Sequence, residues 1–552
     1  MAFDFANFRA SNVASNEVLA NTTGLSEARS SISKAAPAKR APAPRKPRAP
    51  NGTKKGATAK RARADDDEEV VVRRSTRSRV AKADTQEERD RLTEENDREE
   101  EEKRAELRKR KHETRAIEVI KGVTDAGEQD SFNEMIKELA EFELLKGEKE
   151  DDGWKVDDSP EIDEERLAKQ TEDIELRSIV KIVPERIYSL CVHPDKTKDL
   201  VFAGDKYGHI GLWDATGAGT VPESTTSSIK DESKVKAEED QDDGEEAGDD
   251  EAEPSRGKFW IWNAHNKNSV SCIKFRPHDT KKIYSSCYDA TLRVNDFESG
   301  MSEEVIDGDE FTEDALLHSF DFDPTGNEIW ASDGAGGLIW RDLRTKKEEA
   351  KRWQIDRAKV GCISINPARP TLAATAHLKR EMRIWDLAKL RGLDTELDHV
   401  SIAEEAMIVA YPHGKACSSA YFDPSGTRLL STSYDDALRV WDIDPNNFEA
   451  TVTEDFEPTE IFSHNCQVGR FVTVLRAYWS PLPPSLSPPH LHVGNMRQTI
   501  DLYNPNGVKA RALGDAEMIT AVPAVTAVHP SVAGRYFGGA ANGKVSFWTA
   551  PV

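Results

Sequence analysis

The sequence predicts an all-β fold, a seven-bladed β-propeller preceded by a charged N-terminal region that is largely disordered or helical. Three observations carry that expectation. A phrase is written twice, as "YSSCYDATLRVND" at 284–296 and "LSTSYDDALRVWD" at 430–442, with seven of thirteen positions identical. Similar endings recur as "GLWD" at Asp214, "RVND" at Asp296, "IWRD" at Asp342, "RIWD" at Asp386, "RVWD" at Asp442, "DLYN" at Asn504 and "SFWT" at Thr549. Ahead of them stand apolar runs that close on proline: "IYSLCVHP", "VSCIKFRP", "LLHSFDFDP", "GCISINP", "SSAYFDP", "LRAYWSP" and "AVTAVHP". The endings fall 82, 46, 44, 56, 62 and 45 residues apart. A period in the forties, with an Asp-bearing turn before a strand that ends in Trp-Asp, marks a four-stranded WD-repeat blade.

The elements follow in chain order. Residues 1–128 are expected to be disordered, because charge and small polar residues leave little apolar surface to bury. Within them Lys34 to Arg63 holds eleven lysines and arginines and no acid, a basic arm of the kind that meets nucleic acid or serves as an import signal. Residues 129–174 read as helical: in "SFNEMIKELAEFELLKG", Phe132, Met135, Ile136, Leu139 and Phe142 share one face. That stripe must pack either on this chain's own globular part or on a partner. The propeller is expected over 175–552, interrupted at 217–256 by an insert with fourteen acids against four bases. Removing the insert brings the long first interval near the common period. The last ending lies so close to Val552 that "ELRSIVKIV", ahead of the first blade, is expected to supply that blade's outer strand and remove the exposed edge.

Several function classes are disfavoured. No apolar run approaches the length of a bilayer span, and the first thirty residues lack the pattern of a secretory signal, so an intracellular, non-membrane protein is expected. The six cysteines show no metal-ligand spacing, and Cys272 and Cys362 read as buried strand positions. No nucleophile elbow, phosphate-cradling loop or zinc-protease motif is present, and the glycines of "GDKYGHIG" and "DGAGG" suit turns. His193, His265 and His464 sit where propellers place hydrogen-bonded core histidines. No enzyme, cofactor or metal is expected.

A propeller works through its faces. The loops from each outer strand to the next inner strand, and those from second to third strands, gather on one face. They carry Lys181, Arg186, Lys206, Lys267, Arg357, Lys359, Lys379, Arg380, Lys415, Arg470 and Arg476, with Tyr288 and Tyr434 between them. A basic ring with interspersed aromatics suits phosphates and bases. The net charge of −24 opposes a polyanion only if it lies nearby. The acidic insert follows a third strand, so it leaves from the opposite face and is screened from the ring.

The phrases "VKIVPERIYSL", "AGDKYGHIGLWD", "SSAYFDPSGTRLLSTSYDDALRVWD", "HNCQVGRFVTVLRAYWSP" and "HVGNM" resemble those of the fungal DNA-damage-binding WD-repeat proteins. These are relatives of the small subunit of the UV-damaged-DNA-binding complex. "FRASNVASNEVLANTTGL" looks like a weakened form of the family's N-terminal helix, with Arg9, Asn12, Ala14, Asn16, Leu19, Gly24 and Leu25 in register. The resemblance implies binding of single- and double-stranded DNA with a preference for UV-damaged duplex, in the nucleus and in DNA metabolism. Asn295 and Arg341 depart from the pattern by replacing tryptophan, and the acidic insert and "SPLPPSLSPP" look peculiar to this chain.

Two other classes remain open. "RDLR" sets Arg344 two residues after Asp342, which resembles the box by which WD-repeat substrate receptors dock on a cullin ubiquitin-ligase adaptor. A histone-binding chromatin scaffold is the other, although basic loops suit cationic tails poorly. A monomer is expected.

Overall fold

A computed structural model describes residues 98, 111–120, 128–143, 160–219, 255–312, 315–446, 448, 456–466 and 472–551. All of them belong to the unit Val80–Val552. The basic arm 34–63, the N-terminal helix motif, Arg470 and residues 220–254 of the acidic insert lie outside the described residues.

Seven antiparallel sheets form the ring. Blade 1 runs Ile187–Val192, Leu200–Asp205, His209–Asp214 and Lys258–Asn263 from inner to outer strand. Blades 2 to 6 follow in chain order, with inner strands Val270–Arg276, Leu317–Phe322, Val360–Ile365, Cys417–Phe422 and Tyr478–Trp479. Blade 7 takes three strands from Val525 to Thr549 and its outer strand, Glu175–Lys181, from ahead of blade 1. Val180 pairs with Val545 and Lys181 with Lys544, so the ring closes as the position of "ELRSIVKIV" suggested.

Apolar cores lie between neighbouring blades, because each sheet has two faces and neither meets water. Trp213 is buried between blades 7 and 1 with Val525 and Phe547; Trp385 is buried with Trp330 and Trp353 between blades 3 and 4. The departures from tryptophan are accommodated in different ways. Asn295 is fully buried and accepts a hydrogen bond from Trp262 Nε1 at 3.3 Å, so an indole of the adjoining outer strand takes up the position's polar group. Arg341 is buried at the rim of its blade, where burial lowers its pKa.

Two stretches ahead of the ring settle open expectations. The helix Glu128–Glu141 (α1) buries Phe132, Met135 and Leu139 against Trp260 and Trp262, so its stripe docks on this chain's own propeller. The helix Pro160–Thr171 (α2) is received by the proline-rich loop of blade 6: Arg166 donates to Ser485 O and Gln170 to Leu486 O. That loop is therefore a seat for α2.

One expectation is corrected. Residues 111–120, placed in the disordered region, are ordered on the propeller. Arg115–Ala116 pairs with Met301 and Ser302 as a fifth strand of blade 2. Arg293, 1% exposed, donates to Lys111 O at 2.9 Å and Glu113 O at 2.6 Å. Backbone pairing and one buried fork hold the segment, and neither requires a helical apolar stripe. The short alternation of Ile117 and Val119, both buried, was its only apolar signal.

Candidate nucleic-acid interface

Each second-to-third strand turn carries one residue with positive φ: Gly208, Ala290, Gly336, Arg380, Asp436, Gln498 and Gly543, one per blade. The turn needs a left-handed residue to reverse tightly beside the backbone of the following loop. At Gly336 a Cβ would lie 2.2 Å from Asp356 O, which leaves glycine as the only fit. The carboxylates of these turns face inward. Asp205 meets His209 at 2.7 Å, Asp289 bonds Thr291 at 2.6 Å, Asp333 takes Arg352 at 2.7 Å and Asp435 takes Arg439 at 2.7 Å.

The cations of the same face behave differently. Lys181, Lys206, Lys267, Arg357, Arg380 and Lys415 are exposed, and among the described residues none of these side chains enters an ion pair. Lys206 lies over its neighbour Tyr207, 5.2 Å from the ring centroid. Lys267 and Arg380 hold positive φ at loop tips, a strained state that glycine would occupy more easily. Off that face some cations are matched, as Lys282 is to Asp296 and Arg535 to Asp199, while others, such as Lys196, Lys258 and Lys389, are exposed and enter no ion pair among the described residues.

Three expected site residues sit otherwise than as free surface groups. The Lys379 ammonium pairs with Asp356 at 2.5 Å, so its charge is already met. Arg186 is half-buried at the base of its loop. Arg476 is half-buried at the mouth of the central channel, where Nη2 donates across to Gly361 O of blade 4 at 3.2 Å and Nε is sealed from solvent.

Tyr288 and Tyr434 lie on the ring face, both half-buried. Tyr288 stands edge-on to Tyr188, with centroids 6.1 Å apart, and to His318 at 4.6 Å. Burial raises the pKa of both tyrosines, and nearby Arg476 works against the rise. Sequence reasoning missed Arg497 and Lys544, which stand at the corresponding turns of blades 6 and 7, and His318; the turn register of "NMRQ" and "ANGK" pointed to the first two.

The buried histidines serve the blades. His265 bonds Thr291 at 3.0 Å and Ser285 at 2.8 Å, while His464 bonds Gly494 O at 3.0 Å. Cys287 lies near His265 and Asp289, and burial pushes its thiol well above its usual value. Arg344 occupies the opposite face, 64% exposed, with its fork held by Asp342 through bonds of 2.9 and 2.6 Å. The base of the acidic insert leaves from that face too, pinned where Gly219 N donates to Ser255 O at 2.8 Å.

A ring of seven antiparallel blades of this kind defines a non-enzymatic WD-repeat binding or scaffold protein. The family described as "WD domain, G-beta repeat" matches residues 258–296 and 408–442. Across the longer alignment the chain is 35% identical over 446 residues to "DNA damage-binding protein CMR1" of Cryptococcus neoformans, covering 70% of this chain and 71% of that one. The protein of the same name from Mycosarcoma maydis is 30% identical over 495 residues, covering 71% and 74%. That of Neurospora crassa is 32% identical over 375 residues, covering 67% and 65%. The chain belongs to this fungal DNA-damage-binding WD-repeat family.

Proposed function

We propose that this protein binds single- and double-stranded DNA through the ring face, prefers UV-damaged duplex, and acts in the nucleus in DNA metabolism and the damage response. The observation that carries the reading is the unmatched charge. Lys181, Lys206, Lys267, Arg357, Arg380 and Lys415 project from one face without carboxylate partners among the described residues, while the turn carboxylates Asp333 and Asp435 are engaged within their own blades. Phosphates of a backbone lying across the ring would supply the missing counterions, and counterion release makes such binding salt-dependent. The relatives' name, "DNA damage-binding protein", supports the same partner. Tyr288 and Tyr434 offer ring surface to a base unstacked by a lesion. Lys379 and Arg186 contribute less, the first because Asp356 holds it and the second because it is half-buried. The test is a titration of the full chain with lesion-bearing duplex, intact duplex and single strand at two salt concentrations. Affinity that is salt-independent, or equal for lesion and intact duplex, contradicts the reading.

A second reading has its own observation. Arg344 is exposed yet oriented by Asp342, on the face away from the ring, which suits docking on a cullin-ligase adaptor while DNA is held opposite. A chromatin scaffold that grips histone tails is less favoured, since the tails share the sign of the ring. The protein is read as a monomer.

A further inference from the structure

The mouth of the central channel gathers groups that the ring-face reading leaves unexplained. Arg476 reaches from blade 6 over the channel to the carbonyl of Gly361 in blade 4, and its Nε is buried without a partner. Lys359, two residues before Gly361, is half-buried and enters no ion pair among the described residues. His318 of blade 3 is 5% exposed, and its Nδ1 also lacks a partner. Geometry groups them in two pairs: Arg476 and Lys359 both lie against Gly361, and the Tyr288 ring stands 4.6 Å from that of His318. Arg476 also acts electrostatically on His318, Lys359, Tyr288 and Tyr434.

Among the described residues, no carboxylate pairs with Lys359 or Arg476. Asp333 is engaged by Arg352, and Asp356 by His377, Lys379 and Arg383; Asp435 is engaged by Arg439. Deeper in the channel, a cavity of about 520 Å³, Lys274 is neutralised by Asp321 at 2.6 Å. Among the described residues of the channel, the cations without a carboxylate partner therefore lie at its mouth. Two like charges brought together out of water are unfavourable in the free protein, and an arriving anion removes the repulsion. A guanidinium fork and an ammonium, with tyrosines nearby, suit a tetrahedral oxyanion.

We propose that Arg476, Lys359 and His318, flanked by Tyr288 and Tyr434, form a site for a single phosphate group at the channel mouth, and that DNA supplies that phosphate when it lies across the ring. The assignment of the source rests on the DNA-binding reading; the pocket itself does not. Phosphates flanking the bound one fall over the outer cations, which leaves the mouth as the one place where the backbone is gripped from several blades.

The experiment displaces a fluorescent duplex from the full chain with inorganic phosphate or with chloride at equal ionic strength, alongside calorimetry with phosphate alone. Phosphate is expected to displace the duplex at a severalfold lower concentration than chloride, and Lys359→Met and Arg476→Gln to abolish that difference. Equal displacement by the two anions in the unaltered chain, or a difference that survives both substitutions, overturns the proposal. Arg476→Gln loses the bond to Gly361 and can compromise folding; Lys359→Met removes no bond and keeps the test decisive. Phosphate binding that depends on Lys359 in a chain that binds no DNA would support the pocket while removing the DNA reading. Comparing 5′-phosphorylated with unphosphorylated strands separates a terminal from a backbone phosphate, either of which supports the proposal. Stronger displacement of phosphate by a phosphoserine peptide than by either strand overturns DNA as the source.

Discussion

Arg476 and Gly361 are joined by a 3.2 Å hydrogen bond between blades that are not neighbours, with blade 5 lying between them in the ring. The bond carries a cation from a loop onto the channel axis, beside Lys359 and the tyrosines of the ring face. That placement changes what substitutions at the mouth should do, and the first prediction follows from it.

Burial and the neighbouring Arg476 hold the Lys359 ammonium down, from 10.5 to about 8. In the unfolded chain it titrates at the ordinary value, so between pH 8 and pH 10.5 the unfolded state binds more protons and stability rises with pH. Below that window the folded state carries the full penalty, about 3 kcal/mol at most at 1.36 kcal/mol per pH unit. Lys359→Met should therefore stabilise the chain at pH 7 and flatten the rise above pH 8. Denaturant midpoints measured across that range check it; an unchanged slope places the ammonium in contact with water.

Arg380 takes the left-handed turn position that glycine fills in blades 1, 3 and 7, with φ of 71°. Arg380→Gly should leave the thermal midpoint unchanged or raise it by a stability increment of up to about 1 kcal/mol. DNA affinity should fall by severalfold, since one exposed cation no longer meets a phosphate. Calorimetric melting with a binding titration on the same sample tests both halves. A lower midpoint together with unchanged affinity would assign Arg380 a structural role.

Val180, 6% exposed, pairs with Val545 where the ring closes. Val180→Asp buries an unpaired carboxylate in the core between blades 7 and 1 and should cost at least about 3 kcal/mol. The loss should appear as a single cooperative shift of the melting curve. A shift no larger than that of an exposed control such as Lys415→Ala would show that ring stability does not depend on this strand.

Arg344→Ala should shift the melting midpoint only slightly, because the Arg344 side chain is exposed and the Asp342 carboxylate keeps its bond from the Arg344 backbone N–H. It should leave DNA affinity unaltered, since the residue faces away from the ring. Capture of a cullin-ligase adaptor by the full chain should drop sharply; equal capture with and without the substitution removes the second reading.

Deleting the basic arm, residues 34–63, should flatten the dependence of log affinity on log salt by about 0.9 for each duplex phosphate that the arm neutralises. Lesion preference should persist, because the arm offers only sequence-independent charge. A lesion preference that disappears with the arm would move the recognition surface off the ring.

The blade count, the closing strand, the face of each loop and the family likeness could all be read in advance. They depend on local chemistry repeated along the chain: an Asp-bearing turn, an apolar strand, a proline, and Trp-Asp at fixed offsets, as in 284–296 and 430–442. Periodicity also marked α1 as needing a partner, but both an internal and an external surface satisfied the same stripe until Phe132 was seen against Trp260 and Trp262. The fifth strand at Arg115–Ala116 escaped notice because it is held through backbone groups and the Arg293 fork, which leave little trace in side-chain pattern. The site divides in the same way. That Lys379 and Lys415 occupy loops of one face is a matter of chain order; that Asp356 neutralises one, while among the described residues no carboxylate meets the other, depends on blades meeting in space. Residue type made Arg476 a candidate, whereas its reach to Gly361, beside Lys359, was decided only by closure of the ring. Electrostatic pairing acts over a few ångströms between groups far apart in the chain, and so only the tertiary structure could tell a free cation from one already matched.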